Sequence, residues 1–429
     1  MKTTRLLLFA LVAISSSGLG AADAPLSLAT ARELALKAHP RITIAQLRAL
    51  LAREGVTEAR AGFLPVIAAN ATYVESGQQI TRITSGSLSN SQIFDHAGVG
   101  ATLNWVVTDF GRTPSLGEAA RQRLLAADAE VLATRAQLLL EVDAAFFDAL
   151  KAGSVRVVAN RTLSARQAQF ERTSNLARNE LRSELDVRFA RVSLDEARLL
   201  VEAAEKDWRA ALTTLGSLLG LQAPNPATNL ETPPGPGELP ADCDALTTLA
   251  LRQRPELQRQ RAEAEALRAA ARAARAARLP TVSVAAAAGV TPTNDPRFQR
   301  NYAAGGLNLN VPLFAGGIYR SRQHQAELQA AAAEAAVLER GNLIARDVRL
   351  AWLEAGYARE RIALTRSLLE NAEAALSLAR TRFEQGLSST VELTQAELAK
   401  TTAEIANTTA EFGYRVRLRI LDYQTGSLR

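Results

Sequence analysis

Four stretches of the chain alternate apolar and polar positions with a period of two, and longer stretches between them repeat apolar positions at steps of seven, four and three. Val99, Ala101, Leu103, Trp105 and Val107 fall on one face of an extended strand, with Gly100, Thr102 and Asn104 on the other. Val282, Val284, Ala286 and Ala288 likewise oppose Thr281, Ser283, Ala285 and Ala287, and Leu307, Leu309 and Val311 oppose Gly306, Asn308 and Asn310. Over Val66 to Glu75 the pattern is looser, but Ile67, Ala69, Ala71 and Tyr73 share a face. Strands of about ten residues suit a tilted crossing of a bilayer. The alternative is a set of half-buried strands in a soluble sandwich. The connections Ser76 to His96 and Thr291 to Asn301 are rich in Ser, Thr, Asn and Gly and read as surface loops.

After each strand pair the period changes. A helix of roughly 65 residues, about 100 Å at 1.5 Å per residue, is expected to start near Arg112 and again near Ile318. In the second, Val337, Ile344, Val348, Ala351, Ala355, Ala358, Ile362, Leu369, Ala372, Leu376, Ala379 and Phe383 form a heptad-like seam, the mark of coiled-coil packing. In the first, Val131, Leu138, Val142, Ala145, Ala149, Ala152, Leu163 and Phe170 do the same, interrupted by Arg156 and Arg166. The long helices end near Arg178 and Gln385. Short turns and returning helices to Leu219 and Tyr423 follow.

These elements occur twice. Leu34 to Pro40 and Ala59 to Pro65 recur as Leu249 to Pro255 and Ala274 to Pro280, 215 positions on, with the two prolines 25 positions apart in both copies. From Asn104 and Asn310 onward the offset is 206, so a loop is nine residues longer in the first copy. Each copy opens with a helical segment that ends at a proline, where the preceding residue disfavours the helical region. The organisation expected is residues 1–22 as a signal, 23–221 as a first repeat (hairpin about 66–107, helix pair about 112–220), 222–243 as a Pro-rich linker, and 244–429 as a second repeat (hairpin about 281–312, helix pair about 318–424). Six prolines within 222–243 exclude helix there.

Composition narrows the class. Lys2 and Arg5 precede the short apolar run Leu6 to Ile14, and small residues follow to Ala22, as in a secretory signal. No later run of about twenty apolar residues exists, so no spanning helix is expected. Cys243 stands alone, which excludes an intrachain disulfide and a CxxC site, and leaves no cysteine near the signal for lipidation. His39, His96 and His324 are far apart in sequence and read as ordinary polar residues. A net charge of +6 over 429 residues is too small to indicate nucleic-acid binding. Arg268, Arg272, Arg275 and Arg278 form a stripe in an Ala-rich helix and read as solvated. No nucleophile–base constellation, phosphate loop or metal spacing is present, so neither an enzyme nor a cofactor is expected.

The ordered, duplicated set resembles the TolC family of outer-membrane efflux and secretion channels. It is carried by Leu34 to Pro40 with Ala59 to Pro65, by Asn104 to Arg112 with Val311 to Gly317, and by Phe383 to Ser388 at the second turn. The resemblance covers most of residues 27–426. It implies a mainly helical chain with a long-helix α-barrel and four β-strands per subunit, completed as a twelve-stranded barrel in a homotrimer. It also implies an exit duct across the periplasm and outer membrane, for small molecules or secreted protein. The partners implied are a periplasmic adaptor protein, an inner-membrane RND or ABC transporter, and outer-membrane lipid.

In that family the helical turns form the periplasmic entrance, meet the adaptor and carry acidic rings. Asp186 and Glu392 stand at the matching positions, and Gln395 where some members have a further acid. The alternative for both acids is a helix-start role that satisfies the macrodipole. Leu181, Arg182, Ser183, Gly386, Leu387 and Ser388 are the candidates for adaptor contact. Glu180 replaces a usual tip glycine, and Phe383 and Ser388 replace a bracing Tyr and Arg. Arg182 or Arg188 is available to substitute for the brace. A periplasmic adaptor or a coiled-coil structural protein of an envelope complex is the alternative function, and either leaves the strand pairs unexplained.

Overall fold

Proline sets the first helix boundary in each half. In the computed structural model, which describes residues 25–75, 81–85, 89–93, 96–221, 229–291 and 300–428, the chain runs α1 (Leu28–Ala38), α2 (Pro40–Ala61), β1 (Val66–Val74), β2 (Thr81–Ser85), β3 (Ser89–Ile93), β4 (His96–Thr108), α3 (Arg112–Arg178) and α4 (Glu184–Leu218). It continues with α5 (Cys243–Gln253), α6 (Pro255–Ala276), β5 (Thr281–Val290), β6 (Asn301–Asn310), α7 (Ile318–Glu384) and α8 (Thr390–Thr425). The opening segment of each half is thus two helices rather than one. His39 and Arg254 are extended, as residues before proline prefer, and Pro40 and Pro255 sit at the first helical position, where the missing N–H is harmless. α3 and α7 both have 67 residues and start at the expected Arg112 and Ile318. The proposed signal and residues 222–228 and 292–299 lie outside the described residues.

One compact unit comprises His39–Leu140, Glu238–Glu360 and Val416–Arg429. It holds an antiparallel sheet in the order β1-β4-β5-β6. The register pairs Ala69 with Ala101, Ala101 with Ala288, and Ala288 with Ala303, which places the apolar alternation on one face across all four strands. A bulge between Val106 and Thr108 shifts β4 against β5 at the helix-side end. The stretch Ser76–His96 departs from the expected loop, because β2 and β3 pair within it. Its Ser and Gly content hides the strand-forming run Thr81-Arg82-Ile83-Thr84. In the helical part, Ala250 and Leu257 pack against Ile344 and Val348 of the α7 seam. Arg254 and Glu256 form a buried ion pair there, and the Tyr423 hydroxyl donates to Glu256 at 2.9 Å. Burial, together with the Glu256 charge, pushes the Tyr423 phenol up to about 12. Trp352 Nε1 donates to the Pro240 carbonyl at 2.8 Å.

The other unit comprises the chain up to Ala38, Glu141–Gly237 and Arg361–Arg415. Val142, Ala145, Ala149 and Ala152 of α3 are buried as the heptads anticipate, as are Ala372, Leu376, Ala379 and Phe383 of α7. Leu376, Ala379 and Phe383 close on Leu393 of α8. The segment read as a linker is tied down in its described part. Leu26 pairs with Asn229 and Glu231, Arg415 donates to the Pro233 and Pro234 carbonyls, and the Tyr414 hydroxyl donates to that of Gly237.

Charges inside this unit are paired across long sequence distances. Asp143 is fully buried against Arg32, whose Nε donates to Oδ1 at 2.7 Å. Arg156 does not break the seam: it pairs with Glu205 and stacks over the Trp208 ring, 3.7 Å from its centroid. Arg166 does enter the seam, 7% exposed, where its guanidinium meets Glu397 of α8. Burial holds the Glu397 carboxyl above its ordinary range, against the opposing pull of Arg166 and Arg380. Removing one member of such a pair leaves a charge without compensation, whereas removing both is far milder. Arg166→Leu is therefore expected to cost about 3–5 kcal/mol in chaotrope-induced unfolding. Arg166→Leu combined with Glu397→Leu is expected to recover most of that loss.

Candidate functional site

Each unit offers a surface suited to conduction or its control. In the sheet, one face is apolar: Ile67, Ala69 and Ala71 of β1, Val99, Leu103 and Trp105 of β4, Val284 and Ala286 of β5, and Leu307 and Leu309 of β6. The other face carries Asn70, Thr72, Thr102, Asn104, Thr281, Ser283, Asn308 and Asn310 among Ala, Gly, Tyr302, Val66, Val74 and Val106, with no Asp, Glu, Lys or Arg in the registered pairs. Asn70 Nδ2 donates to Thr102 Oγ1 across this face at 3.1 Å. The Tyr302 ring lies over Gly289, its partner, and reaches Gly100 on the next strand, so that a Cβ at either glycine would collide with it. At the helix-side end of the sheet, Phe63, Leu64, Trp105, Phe110, Leu313 and Phe314 are all exposed. Trp105 Nε1 donates to the Phe63 carbonyl at 2.8 Å. Aromatic side chains at strand ends are the usual furniture of a membrane–water boundary. No helix among the described residues is long and apolar enough to cross a membrane.

In the other unit, the turns after α3 and α7 share one backbone. Glu180 (φ 63°) and Gly386 (φ 71°) are left-handed, and the next N–H reaches back five residues: Leu181 to Leu176 at 2.9 Å and Leu387 to Arg382 at 2.8 Å. This is the Schellman ending, which normally selects glycine. Glu180 therefore adopts the glycine conformation at a steric cost that Gly386 avoids.

The turns are joined by side chains. Ser183 caps α4: Asp186 N–H donates to its Oγ at 3.2 Å, and the Ser183 N–H and Oγ–H donate back to Asp186 Oδ2 at 3.2 and 2.8 Å. The other carboxylate oxygen, Oδ1, accepts from the buried Thr390 hydroxyl of α8 at 2.6 Å. That hydrogen bond is the main reason the Asp186 carboxyl lies below the usual carboxylate range; partial burial opposes it and Ser183 adds to it. Arg182 stacks over the Phe383 ring, 4.3 Å from its centroid. Arg188, the other candidate, pairs instead with Glu184 on its own helix. Glu392 N–H donates to Ser389 Oγ at 3.2 Å, and its carboxylate lies 3.4 Å from Arg382. Gln395 is exposed. Leu181 and Leu387 project from the two turns, 69% and 67% exposed, beside Ser183, Gly386 and Ser388.

The structure thus brings Asp186 to Thr390 and Arg182 to Phe383, and it gives Asp186 and Glu392 helix-start contacts. Thr390 is the member that sequence reasoning missed. Its only signal was the Ser389-Thr390 pair just ahead of Glu392, which marks a helix start without revealing a partner 204 positions away. Among the described residues, no group of His, Cys, Asp or Glu side chains is placed to hold a metal.

The sequence model of a family described as outer membrane efflux protein matches residues 31–221 and 246–419. The chain is 26% identical over 317 residues to the solvent efflux pump outer membrane protein SrpC of Pseudomonas putida, a match spanning 72% of this chain and 66% of that protein. Among solved structures it is similar to the outer-membrane channel OprN, with TM-score 0.79, 22% identity and coverage of 93% and 89% of the two chains. It is also similar to the outer membrane protein VceC of Vibrio cholerae, with TM-score 0.79, 21% identity and coverage of 93% and 96%.

Two stability experiments test the turns. Glu180→Gly is expected to raise resistance to unfolding by about 1 kcal/mol, and Gly386→Ala to lower it by about as much. The depressed Asp186 pKa means that its contribution is present above the ordinary carboxylate pKa and is lost as pH falls through the folded value. Thr390→Val is expected to cost about 1.5 kcal/mol at pH 7 and progressively less on titration to pH 3, read as unfolding midpoints at each pH.

Proposed function

This chain belongs to the outer membrane efflux protein family, and we propose that it is the passive exit duct of a tripartite efflux or secretion machine, spanning the outer membrane with its sheet and lining the periplasm with its helices. The observation that carries this reading is the sheet: one apolar face, one polar face without Asp, Glu, Lys or Arg, and two edges, β1 and β6, with no strand beyond them among the described residues. An unpaired strand edge in hydrocarbon costs several kcal/mol per peptide group. Closure by further copies removes both edges, and three copies make a twelve-stranded barrel whose polar faces enclose water. The chain's two successions of helix pair, paired strands, 67-residue helix and returning helix support an origin by duplication.

The turns are the proposed periplasmic entrance. Leu181 and Leu387, with Arg182, Ser183, Gly386 and Ser388, present two matched knobs to a periplasmic adaptor. An inner-membrane transporter of the RND or ABC type supplies the energy. Glu392, exposed beside Arg382, is the better candidate for an acidic ring facing the lumen, and Gln395 lies close by on the same helix. Asp186 is committed to Ser183 and Thr390, so its contribution is to hold the turns together. An adaptor or a stalk protein has no use for a sheet with one apolar and one uncharged face.

The mature protein is expected in the outer-membrane fraction and as a trimer in mild detergent; a monomer in the periplasmic fraction overturns the proposal. In planar bilayers, Glu392→Gln is expected to weaken block by divalent cations. Asp186→Asn is expected to raise conductance by loosening the joined turns. If Glu392→Gln leaves divalent block unchanged, the acidic-ring role is rejected and the helix-start role stands.

A further inference from the structure

Below the helix-side end of the sheet, the end of α6 and the first turns of α7 enclose a cleft of about 440 Å³. Arg278, the last residue of the arginine stripe, enters from one side, and Arg320, Ser321, Gln323 and His324 from the other. Arg268, higher on the stripe, has carboxylates to answer it, Glu334 and Glu265. Arg278 donates instead to the neutral Gln323 amide at 3.3 Å. The carboxylate of the cleft, Glu327, is engaged by Gln323 Nε2 at 2.8 Å and lies 3.7 Å from His324 Nδ1. Two guanidinium groups therefore face one carboxylate. The first turn of α7 adds the positive end of a long helix with no acid to offset it.

Exposed apolar residues flank the lining of the cleft in the chain. Leu313 and Phe314 stand 92% and 91% exposed, and Phe314 is three positions before Gly317, which lines the cleft. Leu279, next to Arg278, is exposed as well. A basic pocket whose lining residues Arg278 and Gly317 are flanked in the chain by exposed Leu279 and Phe314 has the two halves of an amphiphile's binding site. Water-soluble anions have no use for the second half.

We propose that this cleft binds the phosphate of an anionic glycerophospholipid from the leaflet on the helix side of the barrel, with acyl carbon against Leu313 and Phe314. Arg278 and Arg320 hold the phosphate, and the Ser321 hydroxyl is placed to hydrogen-bond a glycerol headgroup. This rests on the sheet spanning the membrane as proposed above. Bound lipid at this position fixes the depth of the barrel in the bilayer.

The test uses the full-length trimer, delipidated in detergent, with lipid retention read by native mass spectrometry and thermal stability read in parallel. Phosphatidylglycerol is expected to be retained and to stabilise, and phosphatidylcholine and millimolar inorganic phosphate to do neither. Arg278→Gln combined with Arg320→Gln should weaken phosphatidylglycerol binding about thirtyfold, on the scale of two surface arginines near anionic lipid. Arg268→Gln should leave it unchanged, and Glu327→Gln, which removes the opposing charge, should strengthen it. Equal retention of the two lipids, indifference to the arginine pair, or equal stabilisation by inorganic phosphate overturns the proposal. Conductance of the same trimers reports separately on the channel: a conducting trimer blind to headgroup charge removes the lipid site and leaves the duct intact. Should the double variant fail to trimerise, Glu327→Gln decides, since unchanged phosphatidylglycerol retention in it overturns the proposal.

Discussion

A peptide group in hydrocarbon has no water to fall back on, so a strand there must pair along its whole length. The sheet satisfies this between β1 and β4, β4 and β5, and β5 and β6, and leaves the outer sides of β1 and β6 open. Much of the architecture follows from that requirement. The alternation must hold its phase across every pairing, because a one-residue slip would turn Asn and Thr onto the apolar face and Leu and Val onto the polar one. The bulge near Thr108 absorbs a mismatch at the end next to the helices, where β4 gives way to Asp109 and α3. Tyr302 covers Gly100 and Gly289, so that neither position has room for a Cβ.

The helical unit solves a different problem: how to hold long, Ala-rich helices in one register when each contact is small. Small side chains allow close approach but specify position weakly. Specificity comes from paired charges and caps. Arg32 with Asp143 and Arg166 with Glu397 fix neighbouring helices at defined heights, because a slip would strand a buried charge. At the turns, Asp186 with Thr390 and Arg182 with Phe383 do the same with a hydrogen bond and a stacked guanidinium. The two turns have one shape but differ in local energy, since Glu180 holds a conformation that glycine holds freely.

Most of the framework was legible in the sequence, because it depends on periodicity and on proline. The period of two located β1, β4, β5 and β6, and the heptads located the seams of α3 and α7. The prolines at 65 and 280 marked the ends of the opening segments, whereas those at 40 and 255, which start a second helix within each, were not read as boundaries. What was hidden depends on partners distant in the chain. Arg166 looked like a flaw in its seam because Glu397 lies 231 positions away. Asp186 could be placed at a helix start, but nothing local announced Thr390. The β2–β3 pair was missed for a local reason: Ser and Gly in the flanking stretches outweighed a short β-branched run. The arginine stripe read as solvated, and its four members are indeed exposed; what stayed hidden was that Arg278 meets Gln323 of α7, 45 positions on.

The Pro-rich segment between the halves is held in an unusual way. Arg415, Tyr414 and Trp352 all donate to carbonyl oxygens of its backbone, at Pro233, Pro234, Gly237 and Pro240. Such contacts do not read the side chains they touch. Prolines suit the segment because they keep it extended and bring no N–H that would need a partner of its own. Over evolutionary time, this strap is free to drift in composition as long as its carbonyls keep their spacing. An insertion or deletion would put those oxygens out of reach of their donors. The join between the two halves is therefore constrained as a length rather than as a sequence: its donors measure where the carbonyls stand, not which side chains they carry.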